Sequence, residues 1–382
     1  MRREAAVAVV VASLMAPLAA CSDDDDTPGM PRSVSPRAAM EDPVPVQRLL
    51  DVDPASLPVL QTKLPRRVPA EDAVLPSVLD DPPGRARMTY HPPEQFFAGP
   101  RGWASEDIMF YGRDGRWSRL RMADLGLPES AWFADTYGAG NLSPDGRWWA
   151  GSSRLGVILL DLSSGRWRIL EVDGEMTQSG ALWIPGEDAF IVMTYVGATD
   201  SGIRVSVPDG TLTRMPFVPF QVGIEPDGTP ISLQNDGDGG ARLIEWKDGQ
   251  LVERFAVPRT AGPGRGKTPF AVLSTAGRFA TTASQISDNY NSNTVTVVGS
   301  DAGEVQAVLR YQQRRASVEA YPGWLDEDTF LLKTRSHLLA WRPDDQQMYR
   351  VMDVPRTPQH HYWTVDVLPS SAVGVTVTSP DG

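Results

Sequence analysis

Cysteine and histidine are almost missing from this chain. Its one cysteine, Cys21, cannot build a disulfide framework or a thiolate metal site within a single molecule. None of its four histidines, His91, His337, His360 and His361, forms a pair at the i, i+4 spacing of a helical zinc motif, and the adjacent two would face opposite sides of a strand. Basic charge is short as well, with 36 Lys and Arg against 48 Asp and Glu and a formal net charge of −12. That balance leaves no basic surplus to displace counterions from phosphates and excludes a general nucleic-acid binder. A G-x-S-x-G nucleophile elbow is also lacking.

What the chain does have is 11 Trp, 34 Gly and 33 Pro among 382 residues, a composition suited to many short strands joined by tight turns. At the N-terminus, Arg2 and Arg3 precede an apolar run from Ala5 to Ala20. The run is shorter than the ~20 residues a spanning helix needs, so it reads as a cleaved leader covering residues 1–20. The tetrad Leu18, Ala19, Ala20, Cys21 resembles the lipobox of bacterial lipoproteins. That resemblance implies cleavage before Cys21, lipid attachment to its thiol and anchoring at the extracytoplasmic face of a membrane.

Residues 21–84 form the next segment, opening with Asp23 to Asp26 and holding 12 prolines between Pro28 and Pro83. Proline removes backbone donors and favours extended chain, which predicts a semi-rigid tether. The aspartate run is a solvated start rather than a metal site, because adjacent carboxylates lack ligand geometry. Leu49, Leu50, Leu57, Leu60, Leu64, Val68, Val74 and Val78 make the later part too apolar for a purely solvated tether, so residues 44–84 are expected to lie as a strap against the domain at 85–382.

The repeat is clearest in Leu142 to Leu170, which reads as a Ser143-Pro144-Asp145-Gly146 turn followed by strands at 147–152, 157–162 and 166–170. Pro144, Pro185 and Pro226 are spaced by 41 residues, and looser units follow at Thr275 and Trp324. Periods of this length belong to propeller blades. Strands at 85–90, 108–111 and 116–122 need partners, and 363–368 and 373–378 can supply them. Joining first and last strands in one blade would remove exposed edges. The fold expected is all-β: one β-propeller of four-stranded blades, six preferred over seven, closed by N- and C-terminal strands.

Ser143, Pro144, Asp145 and Gly146, with Asp161, Leu162 and Gly165, resemble the repeats of TolB-like and WD40-like propellers, and Pro226, Asp227 and Gly228 match in part. The resemblance implies a fold and a binding role.

Other motifs are better explained by turns. Ala261 to Thr268 approximates a phosphate-binding loop, yet Pro269 follows directly and the next residues read as a strand, so no helix N-terminus can face a phosphate. Asn235 to Gly240 resembles the front of a calcium loop, but Gly240 and Lys247 stand where ligands should be. Candidate carboxylates are Glu106, Asp107, Asp135, Glu187, Asp188, Asp326, Glu327 and Asp328; spacing alone does not bring two of them together. The tryptophans read as packing between blades.

No catalytic residue, metal site or cofactor is assigned. The expected role is a lipid-anchored module of the cell envelope binding a protein or small ligand on a propeller face. A propeller-type enzyme acting on carbohydrate or a lactone, and an accessory subunit of a secretion complex, stay open as alternatives. Functional variation is expected around 130–140, 193–203, 234–240, 258–270 and 284–293.

Overall fold

The structure is a computed structural model. It describes residues 46–49, 53–70, 72–95, 107–128, 141–153, 155–172, 175–176, 181–196, 199–215, 222–235, 241–257, 271–275, 277–286, 290–299, 301–314, 323–334, 336–355, 361–367 and 377–378. Cys21 lies outside them, as do Glu106 and Asp135, the phosphate-loop-like stretch and most of the calcium-loop-like one.

The described residues form six sheets. Sheet 2 shows why the sequence folds as it does. Its strands Asn141–Leu142, Trp148–Ser153, Gly156–Asp161 and Arg166–Leu170 pair antiparallel in chain order. Between the first two, the Asp145 carboxylate accepts hydrogen bonds from Ser143 Oγ (2.7 Å) and the Arg147 amide (3.0 Å). Ser143 Oγ in turn accepts from the Trp148 amide at 2.8 Å. Gly146 takes φ +73°, a left-handed conformation that L side chains resist, so the turn closes here and the strands leave in register. Asp145→Ala is expected to cost about 1 kcal/mol of unfolding free energy, read from urea titration, because it removes two acceptor bonds at a half-exposed site.

Sheets 3, 4, 5 and 6 repeat the plan. Their second strands are Ala189–Val196, Pro230–Asn235, Arg278–Ile286 and Phe330–Lys333, and their fourth strands are Leu212–Met215, Gln250–Val257, Val305–Arg314 and Gln347–Asp353. Sheet 1 joins the two ends of the chain: His361–Val367 pairs with Ala86–Gln95, followed by Asp107–Gly112 and Trp117–Arg121. Many four-stranded antiparallel sheets repeated along one chain are the pattern of a β-propeller.

Six hydrophobic clusters each straddle two sheets. Phe110 and Leu120 of sheet 1 pack with Trp149 and Ile158 of sheet 2. Leu159 then meets Phe190 of sheet 3, and Ile191 meets Ile224 of sheet 4. Leu243 of sheet 4 meets Phe279 of sheet 5, and Val297 of sheet 5 meets Trp324 and Trp341 of sheet 6. Leu331 and Leu338 of sheet 6 return to Met88 and Tyr90 of sheet 1. Trp149, Trp183, Trp324 and Trp341 are thus packing residues.

The strap runs along the fourth strands. Val46–Leu49 pairs parallel with Val308–Tyr311 of sheet 5. Val59–Leu60 then runs parallel to the fourth strand of sheet 6 at Arg350. Leu60, Leu64 and Val68 are buried in the cluster between sheets 6 and 1. Ser77 bridges Arg119 on the fourth strand of sheet 1, and Val78 is fully buried between sheets 1 and 2. At Gly165 of sheet 2 a Cβ would sit 2.5 Å from the Leu79 carbonyl oxygen, so this turn needs glycine for the strap to pass.

One expectation is corrected. The C-terminal strand forecast at 373–378 is described only at Val377–Thr378, and it does not join the sheet that unites the chain ends. It pairs antiparallel with Val59–Leu60 on sheet 6. The strap strand presents a free edge there once its other side is paired, and the tail fills it.

Candidate functional site

In an up-and-down sheet, alternate connections lie at alternate ends, so the two ends of each sheet can be compared. The first-to-second and third-to-fourth turns share one end, and there three of the candidate carboxylates, Glu187, Asp326 and Asp328, are found engaged in structure. Asp326 accepts from the Asp328 amide at 2.9 Å, and Asp328 meets Arg278 at 2.6 Å, with Asp344 on the same guanidinium at 3.0 Å. Glu187 pairs with Arg204 at 2.5 Å. Asp107, on a second-to-third connection, faces Arg119 and Arg121 at 3.6 and 4.0 Å. Asp161, one of the resemblance residues, accepts from Arg147 and from the Ser163 amide and hydroxyl. Partial burial would raise its pKa, but these donors hold it down at about 2. The geometry therefore makes these carboxylates turn anchors and ion-pair partners, each held by a guanidinium or a backbone amide. Among the described residues no group of three or more His, Cys, Asp or Glu side chains is placed to hold a metal ion.

At the other end lie the second-to-third and fourth-to-first connections. All five segments singled out in the sequence depart from strand ends on this side. The sheets reach it unevenly. The second and third strands of sheet 2 pair over six residues, Trp148↔Asp161 to Ser153↔Gly156. Those of sheet 3 pair over eight, Ala189↔Ser206 to Val196↔Thr199. In sheet 5 the ladder runs over nine, Arg278↔Gly299 to Ile286↔Asn291, and the fourth strand follows to Tyr290↔Arg314. At about 3.3 Å per residue, the tongue of sheet 5 extends roughly 10 Å further than the hairpin of sheet 2. The sequence of this tongue, Ser284, Gln285, Asn291, Ser292 and Asn293 with Gln312 and Gln313, is rich in amides and hydroxyls.

Two histidines depart from what the sequence alone suggests. His337 Nδ1 sits 2.8 Å from Ser336 Oγ and its Nε2 lies 3.7 Å from Asp353, which also bridges to Arg67 of the strap. Desolvation lowers its pKa, against the pull of Asp353. His91, on the second strand of sheet 1 opposite Thr364, is 3% exposed, and neither ring nitrogen has a partner among the described residues. Burial pushes its pKa down to about 3. Nothing in the local sequence RMTYHPPEQ separates this histidine from a solvent-facing one, since strand alternation is interrupted by Pro92 and Pro93.

No family model matches the sequence, and no curated protein sequence does. Among solved structures, the chain is similar to TolB from Acinetobacter baumannii, with 13% identity and TM-score 0.32, covering 58% of this chain and 57% of that one. It is also similar to a putative TolB from Agrobacterium tumefaciens, with 13% identity and TM-score 0.38, covering 74% and 98%. A third is the β-propeller domain of Cps50 (Swd1) from Myceliophteria thermophila, with 12% identity and TM-score 0.35, covering 69% and 90%. The chain spans a little over half the length of the first of these. At such scores the fold assignment rests on the sheets and their order.

Proposed function

We propose that this protein is a six-bladed propeller, lipid-anchored through Cys21 at the extracytoplasmic face of a bacterial membrane, where it binds a protein or small ligand at its loop end as a scaffold of the cell envelope. The observation that carries the binding role is the unevenness of that end. A packed β scaffold holds a long amide-rich tongue, and amides and hydroxyls both donate and accept hydrogen bonds, which suits a neutral polar ligand or a polypeptide backbone. The six intersheet clusters, the last of which returns to sheet 1, support the closed ring. Engagement of the turn-end carboxylates in ion pairs and capping bonds favours binding over acid–base catalysis.

Two experiments test the proposal. Cys21→Ala is expected to move the protein from the membrane fraction to the soluble one and to abolish incorporation of labelled lipid; unchanged partition would end the anchoring claim. For the binding end, a photo-crosslinking amino acid is placed at Asn291 on the tongue or at Asp344 on the turn end, in cells. Adducts are expected from position 291, and adducts from position 344 alone would overturn the assignment.

A further inference from the structure

The fourth strands fall into two groups. In sheets 5 and 6 the fourth strand is covered by a strap strand added in the parallel sense, and sheet 1 receives a bridge of the same sense at Ser77. The side chains beneath are buried: Val308, Leu309, Met348, Val351 and Met352. In sheets 2, 3 and 4 the fourth strand ends its sheet, and no described residue pairs with its outer side; at eight residues Gln250–Val257 of sheet 4 is the longest of these bare edges, against five and four. Gln250, Leu251, Val252, Glu253 and Arg254 are exposed in succession, Leu251 at 51% and Val252 at 41%. A long bare edge with exposed aliphatic residues is a template for strand pairing that folded proteins otherwise cover or charge.

We propose that this edge of sheet 4 receives an extended segment of a partner protein, added as a parallel β-strand just as Val46–Leu49 is added to the adjoining sheet 5. Three features favour that occupant. The two edges lie on consecutive sheets joined by the cluster of Leu243 and Phe279, so the bare edge continues an interface the chain already uses. A β-bulge at Arg254 leaves Gln250–Glu253 as the straight part, four residues, the same length as the strap strand on sheet 5. Sheet 5 carries a bulge of its own at Gln306 and still accepts a strand, so the irregularity does not block addition.

The chemistry of the partner follows from the edge. Leu251 and Val252 are neighbours in a strand and point to opposite faces, so the incoming segment presents an aliphatic side chain on each face. Residues 222–257 carry seven acidic and three basic side chains, and Arg242 and Arg254 are already held by Glu253, Glu225 and Glu245. Asp248 stands exposed at the turn that begins the strand. Basic residues flanking the aliphatic core of the partner complete the match. This rim surface goes beyond the loop-end reading and stands or falls apart from it.

The probe is the peptide KKVQVLKK, titrated into the full chain in mild detergent with amide hydrogen exchange as readout. Protection is expected across 250–257. Binding is expected to weaken at least tenfold in the L251S/V252S protein, whose exposed positions tolerate serine. It should vanish for a peptide N-methylated at alternate residues, which keeps the side chains but loses strand donors. Saturating peptide without protection at 250–257, equal binding of the methylated peptide, or protection confined to 308–311 would each overturn the proposal. So would a protein dimer that dissociates in the L251S/V252S variant, since the edge would then serve a second copy.

Discussion

Lowering the pH from 7 to 3 is expected to remove roughly 4–5 kcal/mol of folding stability through His91 alone. The sign follows from burial. An imidazole with no hydrogen-bond partner among the described residues stays neutral in the fold, with its pKa at about 3, against an ordinary value of 6.5. Above pH 6.5 neither folded nor unfolded chain is charged at this residue, and the stability is fully present. Between 6.5 and 3 the unfolded chain takes up a proton that the folded chain refuses, so stability falls by about 1.4 kcal/mol per pH unit. His337, also depressed, acts in the same direction. The depressed carboxylates, such as Asp161 at about 2, add their own loss only below about pH 4. Urea midpoints at pH 7 and pH 5 therefore isolate the histidine contribution. His91→Phe keeps a ring of similar shape, leaves no polar atom stranded, and should flatten most of the dependence without lowering stability at pH 7. A wild-type protein equally stable at both pH values, or an H91F protein as acid-sensitive as wild type, would refute this account.

Trp341→Ala is expected to cost about 3–5 kcal/mol, the range for deleting a buried aromatic ring. Trp341 is fully buried in sheet 6, where it pairs in register with Phe330 and Met348, and its cluster reaches Val295, Val297 and Leu309 of sheet 5. The cavity would thus open between two sheets rather than inside one, and both lose support. Leu251→Ala, on an exposed strand, serves as the contrast and should stay within about 0.5 kcal/mol of wild type. Equal losses in the two variants, measured by urea unfolding, would show that the intersheet cluster does not carry the fold.

The repeat was legible because its turn chemistry is local. Pro144, Asp145 and Gly146 mark a strand reversal whatever surrounds them, and Pro185 and Pro226 stand at the corresponding first turns of sheets 3 and 4. Where the signal depends on distant partners, the sequence is silent. Pro92 and Pro93 argue against a strand continuing past His91, yet Ala86–Gln95 runs through them, because the register slips between Thr364↔His91 and Tyr362↔Glu94 and the prolines fall in the irregularity. Val377–Thr378 pairs with a strap strand more than three hundred residues away, which no local pattern announces. The carboxylates were recognisable as candidates but not as anchors, since their guanidinium partners are distant in the chain: Arg278, for Asp328, comes from a different sheet, and Arg204, for Glu187, from the next strand of the same one. The tongue of sheet 5 was visible only as a polar stretch; its length emerged from the ladder.

The strap also sets an order of events. Its seats on sheets 5 and 6 are built from residues about 260 and 290 positions further along the chain. A chain emerging N-terminus first has nothing to dock Val46–Leu49 against until the fifth sheet exists, and nothing for Leu60 until the sixth does. Contacts of such long range form late. The described strap, from Val46 to Leu79, therefore closes over the sheets only when almost all of the domain has been made.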